Sequence, residues 1–230
     1  MGETKRIIVT GVSRGIGRAL FEYYAARPES YSVAGMARSA EAIDQLKAQF
    51  PDADAQVCDV RSRISVEKWA AHAMETLGGL DLLILNAAAT LKPQRFDRAK
   101  LQEIEDILNT NYAGTIRVIH SLLPALRSSA GVIAHVTLPA SGFPPAGLIP
   151  YAISKQGAGL LLDLLAAESP KNLTRVNIFP GVVDTRLTRS IMGNKAENYP
   201  DAAKWAETNA QRIADLGPED NGKHLSLMQG

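Results

Sequence analysis

Tyr151 and Lys155 stand four residues apart at the start of a long apolar stretch that we predict to be a helix. At this spacing the two side chains share one helical face. A free tyrosine titrates at about pH 10, which is too high for efficient proton transfer at neutral pH. A neighbouring ammonium favours the phenolate and lowers that pKa. The pair therefore predicts acid/base catalysis by Tyr151, with Lys155 as its electrostatic partner.

A glycine-rich turn near the start of the chain indicates a second kind of chemistry. Residues 10–17 read TGVSRGIG and separate a β-branched run from a helical pattern. The first glycine permits a sharp turn, the later two let backbone approach a pyrophosphate, and the N–H groups at the helix start favour negative charge. The segment predicts a dinucleotide-binding loop with contacts from Gly11, Ser13, Arg14, Gly15, Ile16 and Gly17.

The end of the second predicted strand indicates which dinucleotide is bound. Proteins that bind NAD usually carry a carboxylate here for the ribose 2′-hydroxyl, but residues 35–39 of this chain read GMARS. Arg38 can pair with a 2′-phosphate, Ser39 can add a hydrogen bond, and Arg14 can reach the same phosphate from the glycine loop. We therefore predict NADP(H) rather than NAD(H) as the cofactor.

The G-x-x-x-G-x-G spacing differs from the commonest dinucleotide motif, and with it the chain resembles a known family. It is similar to the main branch of the short-chain dehydrogenases/reductases, whose T-G-x-x-x-G-I-G motif is matched in full by residues 10–17. Further matches are N-A-A at 86–88, where the family has N-A-G, the Y-x-x-x-K pair, and P-G-V-V-D-T at 180–185. The sequence looks most like the benzil-reductase and sepiapterin-reductase-like members.

The resemblance implies an activity and the remaining site residues. In the family, hydride passes from the nicotinamide to a substrate carbonyl while the tyrosine delivers a proton. Lys155 would also bind the nicotinamide ribose, Asn111 would support a water relay behind it, and residues 186–215 would form a substrate lid. Apolar residues near the motifs favour a small, hydrophobic ketone or diketone as the substrate. The implied cofactor contacts beyond the glycine loop are Asp59, Val60, Asn86, Ala87, Lys155, Pro180, Gly181, Val183 and Thr185.

One position departs from the family pattern. The family's catalytic serine, thirteen residues before the tyrosine, holds the carbonyl oxygen, and Leu138 occupies that position here. Thr137 would take over if the following loop shifted it, although neighbouring strand side chains face opposite ways. Ser141 would take over if the loop folded back, and a third alternative is that no hydroxyl replaces the serine. In that last case, either Leu138 shapes an apolar pocket for a substrate that needs little polarisation, or the chain has a different function, a catalytically weak NADP-binding sensor or scaffold.

Short apolar runs that alternate with helical patterns must position these groups. We predict strands at 5–10, 31–36, 55–60, 80–85, 131–138, 174–179 and 224–228. We predict helices at about 15–27, 39–50, 62–77, 99–108, 112–126, 151–168 and 201–215, with a loop over 186–200. This order predicts an α/β fold: one domain over residues 1–230, with a doubly wound parallel sheet of about seven strands covered by helices on both faces.

Composition excludes several other classes. The chain has 230 residues, one cysteine and a formal net charge of +1, so neither a disulfide framework nor a field that attracts nucleic acid or anionic membrane is expected. The four histidines lack ligand spacing, so we expect no metal site. With no signal peptide or membrane span in the sequence, we expect a cytoplasmic protein. The helix at 151–168 has more leucine than one buried face needs, and because it lies at a dimer interface in the family, the resemblance implies a homodimer or homotetramer. A position deep in the core would explain the same apolar pattern.

Overall fold

A parallel sheet of seven strands crosses the molecule in the order β3-β2-β1-β4-β5-β6-β7. The computed structural model describes residues 4–139, 146–168 and 173–227. Every pair of neighbouring strands is parallel, so all strands end at the same edge of the sheet. The strands β1 to β7 are Lys5–Thr10, Tyr31–Ala37, Asp54–Val57, Leu82–Leu85, Val132–Val136, Thr174–Phe179 and His224–Ser226.

Helices cover both faces of this sheet. In the described residues, α1 to α8 are Gly15–Ala25, Ala40–Gln49, Arg63–Leu77, Leu101–Leu108, Gly114–Ser128, Ile149–Glu168, Arg186–Met192 and Ala202–Ala214. Side chains of α1, α2 and α8 form one apolar core with the sheet, and side chains of α3, α5 and α6 form the other. Because β2, β4 and β5 are covered on both sides, their residues are buried almost without interruption, whereas the edge strands β3 and β7 carry polar, partly exposed residues. The doubly wound α/β fold predicted from the sequence is confirmed.

Local signals explain where several helices begin and end. Ser39, Ser62 and Asp201 precede α2, α3 and α8, and each side chain accepts a backbone N–H of the first turn. Gly78 ends α3 in the left-handed conformation, with φ of +68°. In the described residues, no helix combines the length and the apolar character needed to cross a bilayer.

Some predicted boundaries were wrong. Residues 186–200 are not a loop, because α7 and a 3₁₀ turn at Gly193–Asn198 occupy most of them. Thr185 caps α7 by accepting the Thr188 N–H at 3.2 Å. The sequence prediction missed this cap because the residues that follow it are mostly polar. The strands also end early: β3 ends at Val57 and β5 at Val136, which leaves the motif residues Asp59 and Leu138 in the turns that follow.

A buried polar pair joins β5 and β6, the two strands next to the edge strand β7. His135 and Asn177 are register partners, and they are 1% and 2% exposed. The His135 Nδ1 lies 3.1 Å from the Asn177 Oδ1. Burial, with a smaller effect from the positive charge of Lys155, lowers the pKa of His135 to about 3. The imidazole is therefore neutral in the folded protein at neutral pH.

This burial makes stability depend on pH in a definite direction. Since the pKa is about 3 when folded and 6.5 in its ordinary state, the unfolded chain binds one more proton between these values. The free energy of unfolding should therefore fall as the pH drops below 6.5, by about 1.4 kcal/mol per pH unit from this residue. Urea unfolding over a pH series measures the slope. His135→Gln, which does not titrate, should flatten it; equal slopes in both proteins would contradict the prediction.

Candidate active site

The glycine loop lies where β1 ends and α1 begins, against the end of β4. The loop glycines Gly11 and Gly15 have φ of +79° and +61°, a region that favours glycine. A Cβ on Gly11 would lie 2.8 Å from the Ala87 Cα, and a Cβ on Gly17 would lie 2.2 Å from the Asn86 Nδ2. Gly11 and Gly17 are therefore required by close packing of the chain itself as well as by any ligand.

Thr10 and Asn86 hold this loop in place. The buried Thr10 Oγ1 accepts the backbone N–H groups of Asn86 at 2.9 Å and of Ala87 at 3.0 Å. In return, the Asn86 side-chain amide donates to the carbonyl oxygens of Thr10 at 3.1 Å and Gly11 at 3.3 Å. Asn86, which the sequence predicted as a cofactor contact, thus first serves to fix the shape of the loop.

The start of α1 is suited to bind an anion. Arg14 precedes the helix in an extended conformation, no side chain caps the first turn, and that turn contains no carboxylate. The first N–H groups of α1 thus have no side-chain cap and add their share of the helix dipole. Ser13 and Ile16 are partly buried on either side of this turn. The residues present therefore fit the pyrophosphate of a dinucleotide.

Three arginines gather beside this helix start. Burial and the nearby charges of Arg186 and then Arg38 lower the pKa of Arg14. No ion pair among the described residues involves any of the three. Uncompensated cations at one place favour a phosphate ligand. Sequence reasoning found Arg14 and Arg38 but missed Arg186, although Arg186 directly follows the P-G-V-V-D-T motif.

Two further predicted cofactor contacts already have partners in the protein. The Ser39 Oγ accepts the Ala42 N–H at 3.3 Å as the cap of α2, and its O–H remains a donor. The Asp59 carboxylate forms a bidentate ion pair with Arg61, with a shortest distance of 2.8 Å. This hydrogen bonding lowers the pKa of Asp59. The neighbouring Val60 is buried.

Tyr151 and Lys155 lie in the first turns of α6, and both are buried. The Lys155 ammonium donates to the Val136 carbonyl oxygen at 2.8 Å. Burial lowers the pKa of Lys155 to about 8 and raises the pKa of Tyr151 to about 12. The lowering of the tyrosine's pKa that the sequence predicts is therefore not found in this structure, because burial of the phenol raises that pKa.

Asn111 connects this helix to the end of β4. It lies in a π-helical turn, Asn109–Ala113, which links α4 to α5; such turns are frequent at functional sites. Its side chain accepts the Ala89 N–H at 2.7 Å and donates to the Ala89 carbonyl oxygen at 2.9 Å and the Ser154 Oγ at 3.0 Å. Ser154 in turn donates to the carbonyl oxygen of Tyr151 at 2.7 Å. The structure thus brings Asn111 to the first turns of α6, next to the predicted catalytic pair.

Thr137 and Ser141 are the two residues that could replace the family's catalytic serine. Thr137 and Leu138 line a cavity of about 220 Å³. Its other lining residues are Gln156, Gly159, Leu160, Asp163, Asn177 and His224, without Tyr151, Lys155 or Asn111. This placement gives no support to Thr137 as the group that holds the carbonyl oxygen. Ser141 lies outside the described residues.

The P-G-V-V-D-T segment lies between the glycine loop and the predicted lid. Gly181 has φ of +73°, Val183 is buried, and a Cβ on Gly15 would lie 3.4 Å from the Thr185 side chain. The Trp205 indole on α8 is buried and donates to the Pro180 carbonyl oxygen at 2.9 Å. Trp205 therefore anchors this segment to α8.

Comparisons with known proteins agree with this geometry. The chain is 30% identical over 230 residues to an NADPH-dependent pterin aldehyde reductase of Arabidopsis thaliana, covering 97% of this chain and 93% of that protein. It is 34% identical over 188 residues to a putative ketoacyl reductase of granaticin polyketide synthase from Streptomyces violaceoruber, covering 80% and 74%. An alcohol dehydrogenase structure from the archaeon Thermococcus sibiricus has the same fold, with a TM-score of 0.85 and 24% identity over 97% and 96% of the two chains. Since the sequence profile of the short chain dehydrogenases also matches residues 5–196, the chain belongs to the short chain dehydrogenase family.

Proposed function

We propose that this chain is an NADPH-dependent reductase that acts on a small, hydrophobic ketone or diketone, with Tyr151 as the proton donor. The observation that carries the proposal is a network in two parts around Tyr151 and Lys155. Asn111 donates to Ser154, which donates to the Tyr151 backbone carbonyl oxygen, and Lys155 donates to the Val136 carbonyl oxygen at the end of β5. The network lies at the same edge of the sheet as the glycine loop and the three arginines. NADPH, when bound, supplies the hydride, and the residues of this network handle the proton.

The protonation states provide the proton that a reduction needs. With a pKa of about 12, Tyr151 keeps its proton at neutral pH and can donate it to a carbonyl oxygen. Lys155, whose pKa is about 8, remains mostly an ammonium at neutral pH and can stabilise the phenolate as Tyr151 loses its proton. Asn111 fixes the first turn of α6 through Ser154 and so orients the tyrosine.

The preference for NADPH rests on the arginines. Arg38 at the end of β2 and Arg14 in the glycine loop are the guanidinium groups that would pair with the 2′-phosphate, and Ser39 would donate to it. Arg186 would neutralise the adjoining pyrophosphate. The name of the Arabidopsis relative, an NADPH-dependent reductase, agrees with this preference. The other cofactor contacts that the resemblance implies stay predictions. They are Asp59, Val60, Asn86, Ala87, Lys155, Pro180, Gly181, Val183 and Thr185.

The substrate class rests on apolar residues near Tyr151 and on the relatives. Thr90, Leu91, Ile149 and Met192 are only partly covered by protein and would form walls of a pocket between the catalytic helix and α7. The relatives are named for aldehyde and ketoacyl reduction, so a carbonyl substrate is common to both. Phe143, a further candidate for this wall, lies outside the described residues. A cytoplasmic location stays a prediction.

A second function is favoured by Leu138. A leucine cannot donate a hydrogen bond to a carbonyl oxygen, and Thr137 faces a cavity that the catalytic residues do not line. Loss of one such donor typically lowers turnover by about 10²–10³-fold. A protein with this defect would bind NADPH well and turn over slowly, as a sensor or scaffold does.

The apolar surface of α6 supports a homodimer. Ile153, Leu160 and Leu164 are each more than half exposed and lie on one stripe of the helix. Tyr112 on the neighbouring π turn and Ile116 on α5 are also exposed, and they add apolar surface beside this stripe of α6. A continuous apolar patch of this kind marks an interaction site, and we infer that a second copy of this chain covers it.

The first prediction from the proposed function concerns the cofactor. Arg38→Ala should weaken NADPH binding by about 10–100-fold, because one charge-assisted pair with the 2′-phosphate is lost, and should leave NADH binding almost unchanged. Fluorescence titration with both nucleotides measures this. Arg212→Ala, on the exposed side of α8, removes the same charge elsewhere and should change neither affinity. Equal losses for NADPH and NADH in Arg38→Ala would overturn the assignment of the 2′-phosphate site.

The second prediction concerns catalysis. NADPH oxidation with a panel of diketones and quinones should fall by at least about 10²-fold in Tyr151→Phe, while NADPH affinity is retained. Leu138→Ser should raise kcat by about 10²-fold because it restores an oxyanion donor. Leu138→Ala, which opens the same space without a hydroxyl, should not. If wild type never exceeds Tyr151→Phe on any substrate, the sensor or scaffold function replaces the reductase.

The third prediction concerns assembly. Light scattering on the eluting protein should give about twice the chain mass of 24.7 kDa. The double variant Ile153→Lys, Leu164→Lys should be monomeric, since two buried charges per subunit would be unpaired at the interface. Ile64→Lys, at an equally exposed position on α3, should stay dimeric. A monomeric wild type, or no effect of the double variant, would refute the proposed interface.

A further inference from the structure

An exposed segment between β4 and α4 carries large apolar side chains and takes no part in the catalytic network. Residues 92–101 read KPQRFDRAKL. Phe96 is 55% exposed, and Leu101 is 69% exposed, more than any other large apolar side chain among the described residues. A single exposed apolar side chain is ordinary on a protein surface. Here two of them lie within six residues of each other, in a stretch of sequence that is otherwise mostly charged.

The same ten residues concentrate positive charge. Lys92, Arg95, Arg98 and Lys100 stand against the one carboxylate of Asp97, so the segment has a net charge of +3 in a chain whose net charge is +1. Arg95 pairs with Asp97, with 2.9 Å between Nε and Oδ1. The other three cations form no ion pair with any residue that the structure describes. The low net charge of the chain therefore conceals a local basic patch, whose field extends about 8 Å at physiological ionic strength.

The fold holds the 92–101 segment beside the start of α6. The Gln94 N–H donates to the Gly147 carbonyl oxygen at 3.2 Å, and a Cβ on Gly147 would lie 2.6 Å from the Gln94 nitrogen. The Gln94 side chain donates to Glu103 of α4 at 3.4 Å. Phe96–Arg98 form a 3₁₀ turn in which every residue is exposed, so this turn projects from the surface. Since Gly147 lies four residues before Tyr151, the turn is close to the predicted substrate pocket.

Exposed apolar side chains among unpaired cations complement the surface of an anionic membrane. Lipid phosphates attract lysine and arginine, and apolar side chains can enter the boundary between the headgroups and the acyl chains. An acidic protein partner fits less well, because a specific interface uses about 20–30 residues on each side. A partner of that size would have to cover Glu103, Glu105 and Asp106, which follow the segment on α4. A membrane needs to meet only the residues that project.

We propose that the 92–101 segment docks this protein on an anionic phospholipid surface, with Phe96 and Leu101 inserted and the unpaired cations at the headgroups. The docking is reversible, because two apolar side chains and a net charge of +3 provide far less binding free energy than a membrane-spanning helix. One consequence rests on the proposed reductase function: the pocket beside Tyr151 would then open close to lipid, where a hydrophobic ketone is concentrated.

Co-sedimentation of the full-length protein with vesicles tests this surface. Wild type should bind vesicles made of equal parts phosphatidylcholine and phosphatidylglycerol, and should bind pure phosphatidylcholine at least about 10-fold more weakly. Added salt should weaken the binding. The double variant Arg98→Gln, Lys100→Gln should bind the anionic vesicles about 30-fold more weakly. The double variant Phe96→Ser, Leu101→Ser should bind them at least about 10-fold more weakly, because less apolar surface leaves water.

A matched control removes the same kinds of side chain elsewhere. Ile64 is 58% exposed and Lys68 is exposed one turn further along α3, so the double variant Ile64→Ser, Lys68→Gln should bind anionic vesicles as wild type does. Urea unfolding of all three double variants should give wild-type midpoints, since every substituted side chain is exposed. A midpoint that falls only in the 92–101 variants would show that these side chains serve folding, and would overturn the proposal.

Other outcomes would assign the segment to something else. Equal binding of wild type to both kinds of vesicle, or no binding to either, would refute docking on anionic lipid. Capture of wild type by immobilised polyglutamate but not by the vesicles would assign the segment to an acidic protein. If light scattering gives Phe96→Ser, Leu101→Ser a smaller mass than wild type, the segment is an interface between copies of this chain. Vesicle binding requires no turnover, so a failure of the reductase function leaves this result unaffected.

Discussion

The junction between β1 and β4 is the constraint on which the rest of the site depends. The chain leaves β1 toward β2 on one side and returns through β4 on the other, so the crossover directions reverse here and open a crevice at the strand ends. Thr10 and Asn86 close the bottom of that crevice by four hydrogen bonds. The side of the junction toward β2 holds the arginines, and the side toward β5 holds the catalytic helix. A substitution that breaks the hydrogen bonds of Thr10 and Asn86 would therefore move the side of the crevice that carries the arginines relative to the side that carries α6.

Much of this arrangement could be predicted from the sequence because it follows from local rules. Alternating apolar runs and helical patterns predicted the sheet, and the glycines of residues 10–17 predicted a loop whose backbone conformation the structure confirms. What could not be predicted depends on contacts distant in sequence. Arg186 joins Arg14 only because the Thr185 segment folds over Gly15. The pKa of Tyr151 depends on how completely the fold removes water from the phenol, and spacing on one helix contains no information about that burial.

Leu138 and the protonation state of Tyr151 bear on the same question, the rate of the proposed reduction. A buried, protonated tyrosine is suited to give a proton, and a leucine in place of a serine would make the reaction depend on that proton more heavily. In the proposed reductase, the desolvation of Tyr151 and Lys155 on α6 would thus matter more than the number of hydrogen-bond donors at the carbonyl.

The π turn at Asn109–Ala113 has a consequence for how this chain can vary. It inserts one residue into an otherwise continuous helix from Leu101 to Ser128, and Asn111 and Tyr112 both lie within it. Because a π turn takes up one extra residue within a single turn, the helix on either side of it keeps its direction and register. Deleting the extra residue would therefore change the direction of the side chains within the turn, Asn111 among them, and would leave the apolar side chains of α5 in place. The contact between Asn111 and α6 can thus be lost without a change in the outer apolar surface.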